Sequence, residues 1–287
     1  MINLRSIEEL AKREHALSLV GFESDEGVRR NNGRVGAALA PNEIRKFLSK
    51  LPYNLDNETR LLDTGNVACG NGELEQAQQA LSTHVAKLFH HSCTPIIMGG
   101  GHETLYGHYL GVREYIGADA SLGLINIDAH FDMRESEIPS SGTMFKQILD
   151  TDLRAGYLCL GIQQFGNTKA LFNMADKYGC RYVLEEDLSF EQSTTEIIDE
   201  FADKYDYVLL TLCTDSINSS VAPGVSAPSP FGLDTKLVRS LLRYIASKKN
   251  VTSFDISEVN PLVDEHDKTT RLAAYLLAEV MKAFEGK

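Results

Sequence analysis

The chain has no disulfide framework. Its five cysteines, Cys69, Cys93, Cys159, Cys180 and Cys213, are odd in number, widely spaced and form no CxxC pair. That usage fits a reducing, cytoplasmic setting. No apolar run approaches the ~18–20 residues needed to span a bilayer, so no membrane partner is expected. The first ten residues lack a continuous apolar stretch and read as a helix rather than a signal peptide. Cationic excess is missing too: the formal net charge is -12. Binding to nucleic acid phosphates needs clustered Lys and Arg, so that partner class is set aside. No GxGxxG occurs, and no glycine loop runs into a Lys-Ser/Thr pair, which weighs against phosphate cradles. Internal repeats, low-complexity tracts and linkers are also lacking, so residues 1–287 are expected to form one domain.

What is present is an alternation of strands and helices. With 43% hydrophobic residues among 287, the chain can bury a sizeable core. Apolar runs predict strands at 16–22, 60–63, 95–98, 121–127, 157–162, 207–212 and 251–256. A polar, Gly-rich loop is expected at 23–36, and a short loop at 64–67. Helices are expected at 41–51, 103–116, 168–178, 191–203, 235–247 and 267–284. In 73–90, Leu74, Ala77, Leu81, Val85 and Leu88 recur at three- and four-residue steps, the mark of an amphipathic helix. Such alternation predicts an α/β fold, a three-layer α/β/α sandwich around a mainly parallel sheet.

Three segments at the predicted C-terminal ends of strands carry chemistry. In Asn126-Ile127-Asp128-Ala129-His130-Phe131-Asp132, two carboxylates flank one imidazole at two-residue steps. Side chains at i, i+2 and i+4 of an extended segment project to one side. Asp128, His130 and Asp132 therefore suit a common metal; the bland alternative is a hydrogen-bonded turn with ion pairs. Gly99-Gly100-Gly101-His102-Glu103 offers His102, with glycines that permit unusual backbone and close approach; a capped strand-to-helix turn is the plainer reading. Thr211-Leu212-Cys213-Thr214-Asp215 adds Asp215 and Cys213, although a Cys in an apolar strand is often a small buried hydrophobe. Open α/β sheets put ligands at this edge. Mixed carboxylate and imidazole donors in such number suit two ions of the manganese type. Two ions about 3.5–4 Å apart can generate a nucleophile from water.

At this point the chain resembles the ureohydrolase (arginase/agmatinase) family, most closely its formimidoylglutamase branch. The resemblance rests on segment 21–38, Gly99-Gly100-Gly101-His102-Glu103, Asn126 to Asp132, Pro139-Ser140-Ser141-Gly142-Thr143, segment 221–228 and Glu258-Val259-Asn260-Pro261. These pieces stand in family order from about residue 18 to 275. The resemblance implies an arginase-like fold, usually homo-oligomeric, with a binuclear Mn2+ centre. His102, Asp128, Asp132 and position 213 would surround one ion. His130, Asp128, position 213 and Asp215 would surround the other. The family normally has Asp where this chain has Cys213, and a thiolate is softer, preferring zinc or iron. Met144 and Lys146 stand where the formimidoylglutamase pattern commonly has Pro and Arg.

The implied activity is hydrolysis of a linear amidine, N-formimidoyl-L-glutamate plus water giving L-glutamate and formamide. Asp132 is the expected proton relay, and Glu258 would pair with the cationic amidinium and orient its carbon. Without the resemblance, Glu258 reads as a surface carboxylate or a cap. Two substrate carboxylates call for guanidinium clamps. Arg29, Arg30, Arg34 and Lys146 are the candidates, at least two of them expected to be ordinary ion pairs, with Ser141 and Asn167 lining the same mouth. An agmatinase- or arginase-type guanidino hydrolase is the alternative, and a metal-poor, non-catalytic relative a more distant one.

Overall fold

The computed structural model describes residues 16–56 and 59–285. The N-terminal helix expected from the first ten residues lies outside them. Eight strands form one sheet: β1 (Ala16–Glu23), β2 (Arg60–Ala68), β3 (Cys93–Met98), β4 (Leu122–Ile127), β5 (Ala155–Ile162), β6 (Arg181–Leu184), β7 (Tyr207–Cys213) and β8 (Val251–Ser257). Their order is β2-β1-β3-β8-β7-β4-β5-β6, and every pairing is parallel.

Alternate residues of each strand feed opposite faces. Leu17, Leu19, Ile125, Ile127, Leu158 and Leu160 pack with Ile44, Ile198, Leu241 and Leu277 from one helical layer. Leu122, Leu124, Tyr157 and Cys159 meet Leu105, Val112, Phe145 and Ile148 from the other. Toward the β2 edge, Val20 and Ile97 meet Leu74, Leu81 and Val85 of the helix Leu74–His90. A sheet covered on both faces explains why these strands read as unbroken apolar runs. Each fully buried Leu or Ile contributes about 1.5–3 kcal/mol of transfer free energy. The fold is the three-layer α/β/α sandwich.

Four local departures from the sequence reading have physical causes. β2 runs through the segment expected to be a loop: Gly65 has φ +78°, and the register with β1 shifts between Leu19 and Gly21. The glycine marks a β-bulge inside a strand rather than its end. β6 has no counterpart in the sequence reading, because an edge strand whose residues are all half-buried carries no apolar run. The helix Met144–Thr151 has none either, being only eight residues long. A short helix, Glu26–Arg30, interrupts the loop expected at 23–36.

The triple glycine after β3 works by space rather than by unusual dihedrals, for none of its members lies in the left-handed region. A Cβ on Gly100 would stand 1.8 Å from the Ser24 carbonyl oxygen, and one on Gly101 would stand 2.1 Å from Glu103 Oε2. The Gly101 N–H donates to Ser24 O at 2.8 Å, so the two loops touch backbone to backbone. Gly100→Ala should therefore force these loops apart, lowering stability by about 1–3 kcal/mol or more and displacing His102. Gly70→Ala, whose Cβ would meet nothing within 4 Å, is the control. Thermal melts of both variants check this, and an unchanged melting temperature in Gly100→Ala would refute the packing argument.

Candidate metal centre

β3, β8, β7 and β4 lie side by side at the middle of the sheet, and each delivers candidate residues at its C-terminal end. His102 follows β3, and Asp128, His130 and Asp132 follow β4. Cys213 is the last residue of β7, with Asp215 in the turn Thr214–Ser216. Glu258 comes directly after β8. Parallel pairing aims all four ends the same way, so residues more than a hundred positions apart meet in one crevice.

The donors meet as two groups that share one carboxylate. His102 Nδ1 lies 3.1 Å from Asp128 Oδ2 and 2.9 Å from Asp132 Oδ2. His130 Nδ1 lies 3.6 Å from Asp128 Oδ1 and 3.3 Å from Asp215 Oδ2. The Cys213 thiol donates to Asp215 Oδ1 at 2.9 Å. Donor atoms of His102, Asp128 and Cys213 all lie within 4.8 Å of one another, as do those of Asp128, His130 and Asp215. Asp128 turns one oxygen to each imidazole, and both oxygens are held: Oδ1 accepts from His130 N at 2.8 Å and Oδ2 from Asn126 Nδ2 at 3.2 Å.

Burial and like charge dominate the electrostatics. Burial alone would raise the Asp128 carboxyl, but hydrogen bonds from His102 and His130 outweigh it and hold the group well below its ordinary range. Burial would likewise lower His102; its bonds to Asp128 and Asp132 keep it well above the usual histidine value. His130 is raised too, against burial, by Asp215 and Asp128. Asp132 is pushed up by burial and the Asp128 charge, Cys213 by burial with Asp128 and Asp215, and Glu258 by burial with Asp215 and Glu103. Four carboxyls and a thiol thus surround two imidazoles, a donor set short of positive charge. Divalent cations supply what is short, and oxygen and nitrogen donors match ions of the manganese type; Cys213 is the one soft member.

Asp132 and Glu258 share a strained backbone, with φ +49° and +69°. Non-glycine residues rarely take such angles, and they concentrate where a side chain must be aimed. Glu258 is pinned from two sides: its N–H donates to Gly100 O at 2.7 Å, and its Oε1 accepts from His102 N at 2.9 Å.

The cavity over these donors has a volume of about 90 Å³ and is also lined by Asn31, Arg134, Ser141, Ser226 and Ala227. It adjoins an outer basin of about 870 Å³ that shares Asn31 and Arg134 with it. Ser141 lines the inner cavity, as does Glu258; the other expected substrate contacts do not. Arg29 makes a bidentate pair with Glu26. Arg30 spans Glu26, Glu75 and the Pro139 carbonyl. Arg34 donates to the carbonyls of Val225 and Ser226, and Lys146 pairs with Asp150 one turn on. Asn167 is a scaffold for the metal loop: it accepts from Phe131 N and donates to the carbonyls of Ala129 and Gln163.

Sequence reasoning missed Arg134 and Asn31. The Arg134 guanidinium donates to Asn31 Oδ1 at 2.6 Å, and Asn31 Nδ2 donates to Ser141 Oγ at 3.3 Å. Among the described residues, no carboxylate pairs with Arg134. Its position two residues after Asp132, at the same strand end, was the available signal.

If Cys213 is a shared ligand, hardening it should matter. Cys213→Asp is expected to tighten Mn2+ binding at least tenfold, about 1.4 kcal/mol, and Cys213→Ser to weaken it. Asp128→Ala, which removes the one carboxylate common to both groups, should abolish binding of both ions. Isothermal titration of metal-free protein measures all three. Equal affinity in wild type and the two Cys213 variants would remove that residue from the donor set.

Comparison with known proteins agrees with this geometry. The arginase family profile matches residues 15–282. A formimidoylglutamase of Geobacillus sp. (strain WCH70) is 58% identical over 277 residues, covering 96% of this chain and 85% of that protein. The crystal structure of formimidoylglutamase from Bacillus subtilis superposes with a TM-score of 0.85 at 25% identity, over 96% of this chain and 88% of that one. Trypanosoma cruzi formiminoglutamase with Mn2+ gives a TM-score of 0.86 at 25% identity, over 98% of both chains. The chain belongs to the arginase family.

Proposed function

We propose that this protein is a formimidoylglutamase, hydrolysing N-formimidoyl-L-glutamate to L-glutamate and formamide, with two Mn2+ ions at the donor set. The observation that carries the reading is the small donor-lined cavity, which shares Arg134 and Asn31 with a larger basin beside it. When bound, the two ions lower the pKa of water toward neutrality and so supply a nucleophile. The chain's own residues do the rest. An amidine is cationic at neutral pH, and the Glu258 carboxylate, fixed by the His102 N–H, pairs with it and orients its carbon for attack. As the C–N bond breaks, the departing amine of glutamate needs a proton. Asp132 beside His102 is placed to deliver it.

Size and charge assign the two ends of the substrate. A cavity of about 90 Å³ accommodates the amidine head, and the glutamate part extends into the basin. Arg134 stands at the junction of the two, its fork held by Asn31, which in turn donates to Ser141. Guanidinium groups are suited to bidentate carboxylate binding, and agmatine, which has no carboxylate, would leave this one unused. Arg29 and Arg30 line the basin as well, each already paired with a carboxylate, while Arg34 and Lys146 line neither cavity and are engaged with other partners. Family membership supports a homo-oligomer, and five unpaired thiols support a reducing, cytoplasmic setting. No described helix is long and apolar enough to cross a membrane.

Two kinetic measurements test the reading. Mn2+-loaded enzyme should release formamide from formimidoylglutamate with a far higher kcat/KM than it hydrolyses agmatine or arginine, and chelation should abolish turnover. A higher kcat/KM for agmatine would assign the chain to the guanidino hydrolases. Arg134→Ala should cost about 1.5–3 kcal/mol of substrate binding, roughly 10–100-fold, appearing mainly in KM. An unchanged KM would show that the carboxylate is held elsewhere.

A further inference from the structure

Between the sheet and the helix Thr104–Ile116, a line of polar side chains crosses an otherwise apolar layer. His108, Thr211, Ser253 and Asp255 are fully buried, and none belongs to the donor set. Their hydrogen bonds join end to end. His108 Nδ1 lies 2.8 Å from Asp255 Oδ2, and its Nε2 lies 2.6 Å from Ser253 Oγ. The Thr211 hydroxyl donates to Asp255 Oδ1 at 2.7 Å, and the Ser257 hydroxyl donates to the same oxygen at 3.3 Å. At the near end, His102 Nε2 lies 3.0 Å from Thr211 Oγ1.

The chemistry at the far end fixes the direction of the whole line. An ionised carboxylate only accepts, so the single Thr211 proton is committed to Asp255. Thr211 can then only accept from His102, which places a hydrogen on Nε2. In a neutral imidazole, the form that binds a metal, this leaves the lone pair on Nδ1, the nitrogen that in the protonated ring donates to Asp128 and Asp132. Asp255 cannot turn away, because its other oxygen is held by His108. A buried carboxylate is costly unless its partners compensate, and apolar residues usually fill such an interface better. A ligating histidine, by contrast, depends on what its second nitrogen meets.

We propose that Asp255, anchored by His108 and acting through the Thr211 hydroxyl, is a positioning residue that sets the tautomer and ring orientation of His102, presenting its Nδ1 lone pair to a divalent ion. The inference rests on the metal-centre reading above.

The test is Mn2+ binding to metal-free protein, followed by calorimetry and by the EPR signature of a spin-coupled ion pair, alongside melts of the metal-free form. Thr211→Val removes the acceptor while keeping the shape. Asp255→Asn puts an amide where the carboxylate was, and its N–H can reverse the Thr211 hydroxyl. Both should weaken one of the two ions by about 10–100-fold and lose the coupled signal, and Thr211→Ser should restore both. Wild-type affinity and coupling in Thr211→Val and Asp255→Asn would overturn the proposal. So would a loss in Thr211→Val that Thr211→Ser fails to rescue, since that would be a packing effect. Failure of the wild-type protein to bind two ions would instead overturn the metal-centre reading on which the proposal stands.

Discussion

Asp132, Asp215 and Glu258 line one small cavity, with Asp128 beside the two imidazoles that also line it, and the mutual repulsion of these carboxyls is the constraint the rest of the molecule answers. Two like charges 4 Å apart repel by about 4 kcal/mol at an effective dielectric of 20. Two imidazoles and a few backbone N–H groups offset only part of that. The arrangement makes physical sense as a receptacle for cations, and the raised positions of Asp132 and Glu258 and the depressed position of Asp128 are the same conflict seen one carboxyl at a time.

The fold meets the conflict with rigidity. Four adjacent parallel strands bring the donors to one edge, and a sheet buried on both faces gives them no room to move apart. Asp132 and Glu258 take left-handed backbone conformations that cost about 1–3 kcal/mol each. Hydrogen bonds elsewhere in the loops enforce them: Glu258 N reaches Gly100 O, and Phe145 N reaches Asp132 O. The glycines after β3 belong to the same design. They let the His102 loop pass close enough to Ser24 for a backbone hydrogen bond, and that contact also places the loop that carries Asn31.

This division of labour explains what could be read from the sequence. Residues placed by strands were legible, because apolar runs locate strands and a parallel sheet dictates which ends coincide. His102, Asp128, His130, Asp132, Cys213 and Asp215 are of this kind; Glu258 reads as a surface carboxylate or a cap without the family resemblance. Residues placed by loops mostly were not legible, Ser141 apart. Arg29, Arg30 and Arg34 have the right chemistry for carboxylate clamps, but whether a guanidinium faces substrate or a neighbouring Glu depends on contacts such as Arg30 with Glu75, 45 positions away. Gly65 had the look of a turn and sits in a bulge, because only the register of the neighbouring strand distinguishes the two. Asn167 was polar, near a strand end and well placed for a ligand role, yet its amide is used up on the backbone of the metal loop.

The same loops separate catalysis from specificity. Arg30 ties the Glu26–Arg30 helix to Glu75 and Pro139, and Arg34 ties the following segment to the carbonyls of Val225 and Ser226. These arginines spend their charge and their hydrogen bonds assembling a rim, and Arg134 is left with a neutral partner at its inner edge. A rim assembled by ion pairs can change its inner-edge residue without disturbing strand ends that hold the donors. On the proposed reading, the choice of substrate tail then lies with the rim and not with the donors, and a guanidinium with a neutral partner suits a tail that carries negative charge.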